Sequence, residues 1–106
     1  MSKLDEREQG FEAQFRHEQE LAFKIASRRN MLLGLWAAEH LGLNGAAAEA
    51  YAQDLVVAEF AKPGHAEMVA RLARDFAERG IAIDTMRITD EYHRLSKTAR
   101  KQVMSR

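Results

Sequence analysis

The chain of 106 residues has no cysteine, a single proline and only six glycines. Without cysteine there is no nucleophilic thiol and no thiolate metal ligand. It also lacks net charge, since 16 lysines and arginines balance 16 acids. A general nucleic-acid binder needs a basic field, and the balance argues against one. No apolar run is long enough for a membrane: the densest, from Met31 to Leu43, contains Glu39 and His40 and falls short of the roughly 20 residues a span needs. The N-terminus is charged from Lys3 onward and shows no apolar signal stretch, so a cytoplasmic protein is expected. Four histidines (His17, His40, His65, His93) are never three or four residues apart, which leaves no helical metal-ligand pair. The serines are few and none sits in a nucleophile elbow. There is no glycine-rich phosphate loop. Acids are spread over charged helix faces, so no acid–base pair stands out. These gaps together speak against an enzyme.

What is present reads as helix. Gly42-Leu43-Asn44-Gly45, Pro63-Gly64 and Gly80 punctuate the chain and leave four helical stretches near 3–42, 46–61, 65–79 and 85–104. The fourth is the cleanest: Ile88, Tyr92, Leu95, Ala99 and Val103 recur every three or four residues. Asp84 is placed to cap it, and Ile81 and Ile83 to tuck beneath the turn. In the third stretch Met68, Val69, Leu72, Ala73 and Phe76 share a face. In the second, Ala47, Tyr51, Leu55 and Ala58 are the expected inner side. From Met31 to Leu43 the apolar residues spread around the whole helix, as in an element at the centre of a core, and Trp36 is expected there. No period-two alternation suggests a sheet. The length and pattern point to an all-α, four-helix bundle-like domain, with short loops and antiparallel neighbours.

The first stretch changes character along its length. Before Leu21 its apolar residues are sparse and mostly large: Leu4, Phe11 and Phe15 form a thin stripe, continued by Ala22, and charge fills the other sides. Such a segment has little to hold it to a domain. Residues 1–18 are therefore expected to form a mobile, partly helical arm, and residues 19–106 the globular part. The arm is acidic: residues 1–20 carry six acids (Asp5, Glu6, Glu8, Glu12, Glu18, Glu20) against three bases (Lys3, Arg7, Arg16). The C-terminal helix is basic, with Arg94, Lys97, Arg100 and Lys101. Lys24, Arg28 and Arg29 form a further cluster. It reads either as a solvated face paired with acids such as Glu20, or as an anion site for the phosphates of ATP or ADP.

The run Arg28-Arg29-Asn30-Met31-Leu32-Leu33-Gly34-Leu35-Trp36-Ala37-Ala38-Glu39 resembles the zeta-type inhibitor subunits of alphaproteobacterial F-type ATP synthases. So do Ala48-Glu49-Ala50-Tyr51-Ala52, Asp5-Glu6-Arg7-Glu8 with Phe11-Glu12-Ala13 and Phe15, and Glu18 and Glu20-Leu21 with Phe23-Lys24. The resemblance implies a four-helix fold and no catalytic activity. It implies a regulatory subunit whose N-terminal amphipathic helix enters the catalytic head and blocks ATP hydrolysis. The implied partners are the alpha, beta and gamma subunits, with the membrane reached only through the synthase. The residues that would touch them are Leu4, Arg7, Glu8, Phe11, Glu12, Phe15 and Arg16, with the basic face of the last helix as a second contact. Gln14 stands where the resemblance leads one to expect lysine, which removes one charged contact of the arm. Two other readings use the same residues: a helical adaptor for another assembly, and a nucleotide sensor at Lys24, Arg28 and Arg29.

Overall fold

A computed structural model describes the backbone of residues 3–105 and the side chains of residues 9–105. Four helices follow one another: α1 (Lys3–His40), α2 (Gly45–Ala61), α3 (His65–Glu78) and α4 (Thr85–Met104). Among the described residues there is no strand. The fold is the expected all-α, four-helix arrangement, and each helix boundary lies within two residues of the sequence reading.

Glycine stops two of the helices. Gly42 has φ 80° and Gly80 φ 69°, a left-handed conformation that costs glycine least. After α1, the Leu43 N–H donates to Ala38 O (2.8 Å) and the Gly42 N–H to Glu39 O (3.1 Å). After α3, the Ile81 N–H donates to Phe76 O (2.9 Å) and the Gly80 N–H to Ala77 O (3.0 Å). Both pairs are the crossed bonds of a Schellman motif, which satisfies the last carbonyls of the helix. Arg79 adds a third donor at the end of α1, its Nη1 3.0 Å from Leu41 O. At the other kind of terminus, Asp84 caps α4 by accepting from the Arg87 N–H at 2.9 Å.

Helix α1 is the shared wall of the bundle. It packs along α2 and α4, while α3 packs on α4 and sends Phe76 edge-on to Trp36, with ring centres 5.8 Å apart. The core gathers Leu33, Ala37, Leu41, Leu55, Leu72, Phe76, Ile88 and Leu95. The faces expected for α3 and α4 are the faces that pack. Two expectations need correction. The run around α1 is not enclosed on every side: Leu35 is 36 % exposed and Glu39 and His40 face solvent, because the three partner helices leave one flank bare. In α2 the inner residues are Ala52 and Leu55, with Tyr51 half-buried, while Ala47 and Ala58 are exposed. An alanine-rich helix has apolar groups on every side, so its pattern does not say which side packs.

The side of α2 that packs is chosen by a close approach. A Cβ placed on Gly34 would lie 2.6 Å from the Ala52 Cα and 2.9 Å from its Cβ. Ala37, Ala38 and Ala52 beside this point are fully buried. Further along, Phe23 meets Phe60. The pairing of 34 with 52 and of 23 with 60 shows α1 and α2 to be antiparallel. A polar clamp joins α2 to α3: the Tyr51 hydroxyl donates to Asp75 Oδ2 at 2.6 Å, and Arg71 sits 3.8 Å from the same carboxylate oxygen. Burial, then the bond to Asp75, holds the Tyr51 hydroxyl well above the ordinary tyrosine range.

Two predictions follow from this packing. Replacing Gly34 by alanine gains up to about 1 kcal/mol of helix propensity but overpacks the seam at a cost of about 1–3 kcal/mol. The melting temperature should fall by roughly 5 °C, whereas Gly10→Ala, with nothing within 4 Å of its new methyl group, should raise it. Thermal melts followed by circular dichroism decide both signs. The second concerns alkali. A tyrosine protonated more tightly when folded adds stability that is complete below the unfolded pKa of about 10 and is lost as pH rises beyond it. Tyr51→Phe should cost about 1 kcal/mol at neutral pH and flatten the decline above pH ~10. Urea titrations at neutral and alkaline pH measure both, and an equally steep decline in the variant would clear this hydroxyl of responsibility.

Candidate partner-binding face

Helix α1 outlasts its partners. It runs for 38 residues against 17 in α2 and 20 in α4, and the molecule measures 64 × 25 × 22 Å. From Gln9 to Glu20 every side chain is exposed. Phe11 is 72 % and Phe15 57 % exposed. At one turn's separation they form a single apolar strip, and with Glu12 and Arg16 they frame a shallow depression. Glu12 and Arg16 are themselves an acid and a base one turn apart, in the order that suits the helix dipole. The segment is thus a helix with two uncovered aromatic rings and a charged border, projecting beyond the bundle. Of the expected contact residues, Phe11, Glu12, Phe15 and Arg16 lie together on it. The side chains of Leu4, Arg7 and Glu8 fall outside the described residues.

The basic cluster near the root of this segment is arranged differently. Arg28 donates through Nε to the Gln102 Oε1 of α4 at 2.6 Å. Arg29 donates to the Asn30 Oδ1 at 3.1 Å and lays its guanidinium 4.4 Å from the centre of the Tyr92 ring. Lys24 is exposed. Arg28 and Arg29 therefore fasten α1 to α4 at two places, through a hydrogen bond and a cation–π contact. On α4, Arg94 pairs with Glu91, whereas Lys97, Arg100 and Lys101 are exposed.

The histidines that sequence spacing kept apart do approach across helices: His65 lies 4.3 Å from the Tyr92 ring and 5.7 Å from His93, centre to centre. Among the described residues no three histidine or acidic side chains gather as a metal site would require. None of the described helices is long and apolar enough to cross a membrane. Trp36 is half-buried, its ring set edge-on to His40 and Phe76.

Sequence reading missed one feature of this face. Phe23 and Phe60, from different helices, meet at 5.0 Å between ring centres with their planes inclined by 47°, and both remain half exposed. The signal was available in part, because Phe23 continues the four-residue step from Phe11 and Phe15 through Gln19. Its partner on α2 was not.

A family model described as ATPase inhibitor subunit zeta matches residues 1–102. The comparisons with curated proteins and with solved structures give no match.

Since Phe11 and Phe15 lie outside the core and are largely exposed, replacing both by alanine should leave the fold as stable as before, with a shift in melting temperature of no more than about 2 °C. Alanine has the highest helix propensity and no packing is lost. A drop of roughly 25 °C or more, as two buried phenylalanines would cause, would place the rings in a core.

Proposed function

The chain belongs to the ATPase inhibitor subunit zeta family, and we propose that it blocks ATP hydrolysis by the F-type ATP synthase by inserting the projecting part of α1 into the catalytic head. The observation that carries this reading is the exposure of Phe11 and Phe15 on a stretch of helix, Gln9 to Glu20, whose side chains are all exposed among the described residues. Helix-in-groove recognition uses anchors of this kind, spaced by one turn. The residues assigned to the contact are Leu4, Arg7, Glu8, Phe11, Glu12, Phe15 and Arg16, and the surfaces they meet belong to the alpha, beta and gamma subunits.

Magnitudes define what each part supplies. Burying a phenylalanine gains about 1.5–3 kcal/mol, so two rings give about 3–6. Ordering a segment on binding costs about 2–5 kcal/mol. The rings offset that cost and leave little surplus. Tight inhibition then requires the charged border of the arm and a second contact from the bundle, which raises the effective concentration of the arm at its crevice. The exposed basic residues Lys97, Arg100 and Lys101 suit a second contact with an acidic surface. The globular part acts as a holdfast and carries no catalysis. As an inhibitor of the synthase it works beside the membrane, held there through the enzyme. No specific observation favours the adaptor or nucleotide-sensor readings: Arg28 and Arg29 are engaged with Gln102 and Tyr92 rather than turned toward a shared anion.

The test is ATP turnover by the cognate synthase with added protein. The full chain should suppress hydrolysis. A chain lacking residues 1–18 should not, though circular dichroism should still show a folded helical domain. Phe11→Ala with Phe15→Ala should weaken inhibition by at least tenfold. Full inhibition by the shortened chain would overturn the proposal, and capture of alpha, beta and gamma subunits by the full chain alone would support it.

A further inference from the structure

Four of the five phenylalanines lie outside the core, Phe76 being the exception. Phe11, Phe15, Gln19 and Phe23 succeed one another at four-residue steps along α1. Each step turns the helix by about 40° and advances it by about 6 Å, so the row is a slowly winding ridge of the type that settles into the groove of a neighbouring helix. No charge interrupts it. The ridge ends against Phe60 of α2, and Phe23 and Phe60 there are 51 % and 59 % exposed.

Between these rings opens a groove of about 280 Å³, lined by Phe23, Ala26, Val56, Phe60 and Pro63, with Ser27, Asn30 and Glu59 as its polar members. Asn30 accepts from Arg29 through Oδ1, and Glu59 accepts the Gly64 N–H at 3.2 Å. What the groove offers a visitor is mainly hydrocarbon. Its volume is below the range of roughly 300–1,000 Å³ typical of small-molecule sites. A cavity of about 150 Å³ takes one benzene-sized ring, so this groove suits one or two apolar side chains.

We propose that the groove is a second docking site for the catalytic-head protein that receives the arm, and that it takes apolar side chains standing beside the crevice. This rests on the inhibitory reading above. Continuity carries it: a surface that engages Phe11 and Phe15 along the ridge arrives, about 18 Å beyond Phe11 and about 12 Å beyond Phe15, at Phe23 and the groove. Charge argues against a second copy as occupant. Two copies meeting arm to arm would bring together two segments that each carry six acids against three bases, and like net charges repel.

The experiment measures the affinity of the full-length protein for the isolated catalytic head, and its inhibition of hydrolysis, for two variants. Phe60→Ser empties one wall of the groove. Val56→Lys puts a charge on another wall of the groove, at a half-buried position from which a lysine stem can reach water, and leaves the Phe23–Phe60 pair intact, which guards against a loss of folding in the first. Both should weaken binding and raise the half-inhibitory concentration about tenfold, with complete inhibition still reached at saturation. Unchanged affinity in both variants, alongside weakened inhibition by Phe11→Ala with Phe15→Ala, would overturn the groove and spare the arm. Failure of the parent protein to bind the head would remove both. A change confined to the sedimentation of the free protein would assign the groove to self-association, and overturn the proposal equally.

Discussion

The missing side chain at Gly34 is the constraint on which the architecture rests. With nothing but hydrogen at that position, the backbone of α2 at Ala52 comes within a distance that any Cβ would forbid. Small residues on both sides extend the contact, so α1 and α2 lie close along a seam with little side-chain volume. The approach fixes the rotation of α2 and its register along α1. Register in turn fixes where α2 ends. From Ala52 it has nine residues left before Pro63-Gly64 turns the chain away, and that length brings it to Phe23 and no further. From Gln9 to Glu20 the side chains of α1 are left exposed. The exposed helix is therefore a consequence of unequal lengths: the seam sets the offset, and the proline-glycine break stops the cover.

The same logic explains which parts of the molecule were legible in the sequence. Helices α3 and α4 combine large apolar residues on one face with charge on the other, so their periodicity gave their packing face directly, and the Asp84 cap followed from its place before the helix. The glycine stops were legible as punctuation, though their crossed hydrogen bonds were not. The exposure of Phe11 and Phe15 was readable because a stripe bordered by charge has nothing to pack against within its own segment. The inner face of α2 was not readable, because alanine fills several faces alike and what selects among them is Gly34, more than a dozen residues away on another helix. Arg28 and Arg29 illustrate the limit from the polar side. Adjacent arginines invite one shared partner, but in a helix neighbours diverge by about 100°, and Gln102 and Tyr92 stand in those different directions.

Those two arginines matter for more than local bonding. They tie α4 to α1 a short distance below the point where α1 becomes bare, opposite the Phe23–Phe60 contact that ties α2 to it. The helix is thus gripped from two sides at its root. The basic end of α4 is held there as well, beside an arm of opposite charge. The clamp made by Tyr51, Asp75 and Arg71 joins α2 to α3 at a different level, so the bundle is pinned through polar contacts as well as through its small core.

A gripped root bears on how an arm of this kind binds. A free amphipathic peptide of comparable length is marginally helical in water, since the nucleating turn is costly. Here the helix continues without a break from the bundle, so the nucleus already exists and the arm only has to propagate. Propagation fixes one residue for each hydrogen bond formed, which reduces the entropy spent on ordering at the moment of contact. Gly10 works against this by about 1 kcal/mol relative to alanine, and it lies next to Phe11, where helix is needed for the ring to be aimed. The effect is to leave the outer turns less committed than the inner ones. On this view Phe15, closer to the root, is presented in a fixed direction at little cost. In the proposed binding mode Phe11, Gly10's neighbour on the root side, takes its final alignment from the surface it meets. Affinity then depends on the firmness of the junction as much as on the rings, because any loosening of α1 between Phe15 and Phe23 would disconnect the arm from the only structure that orients it.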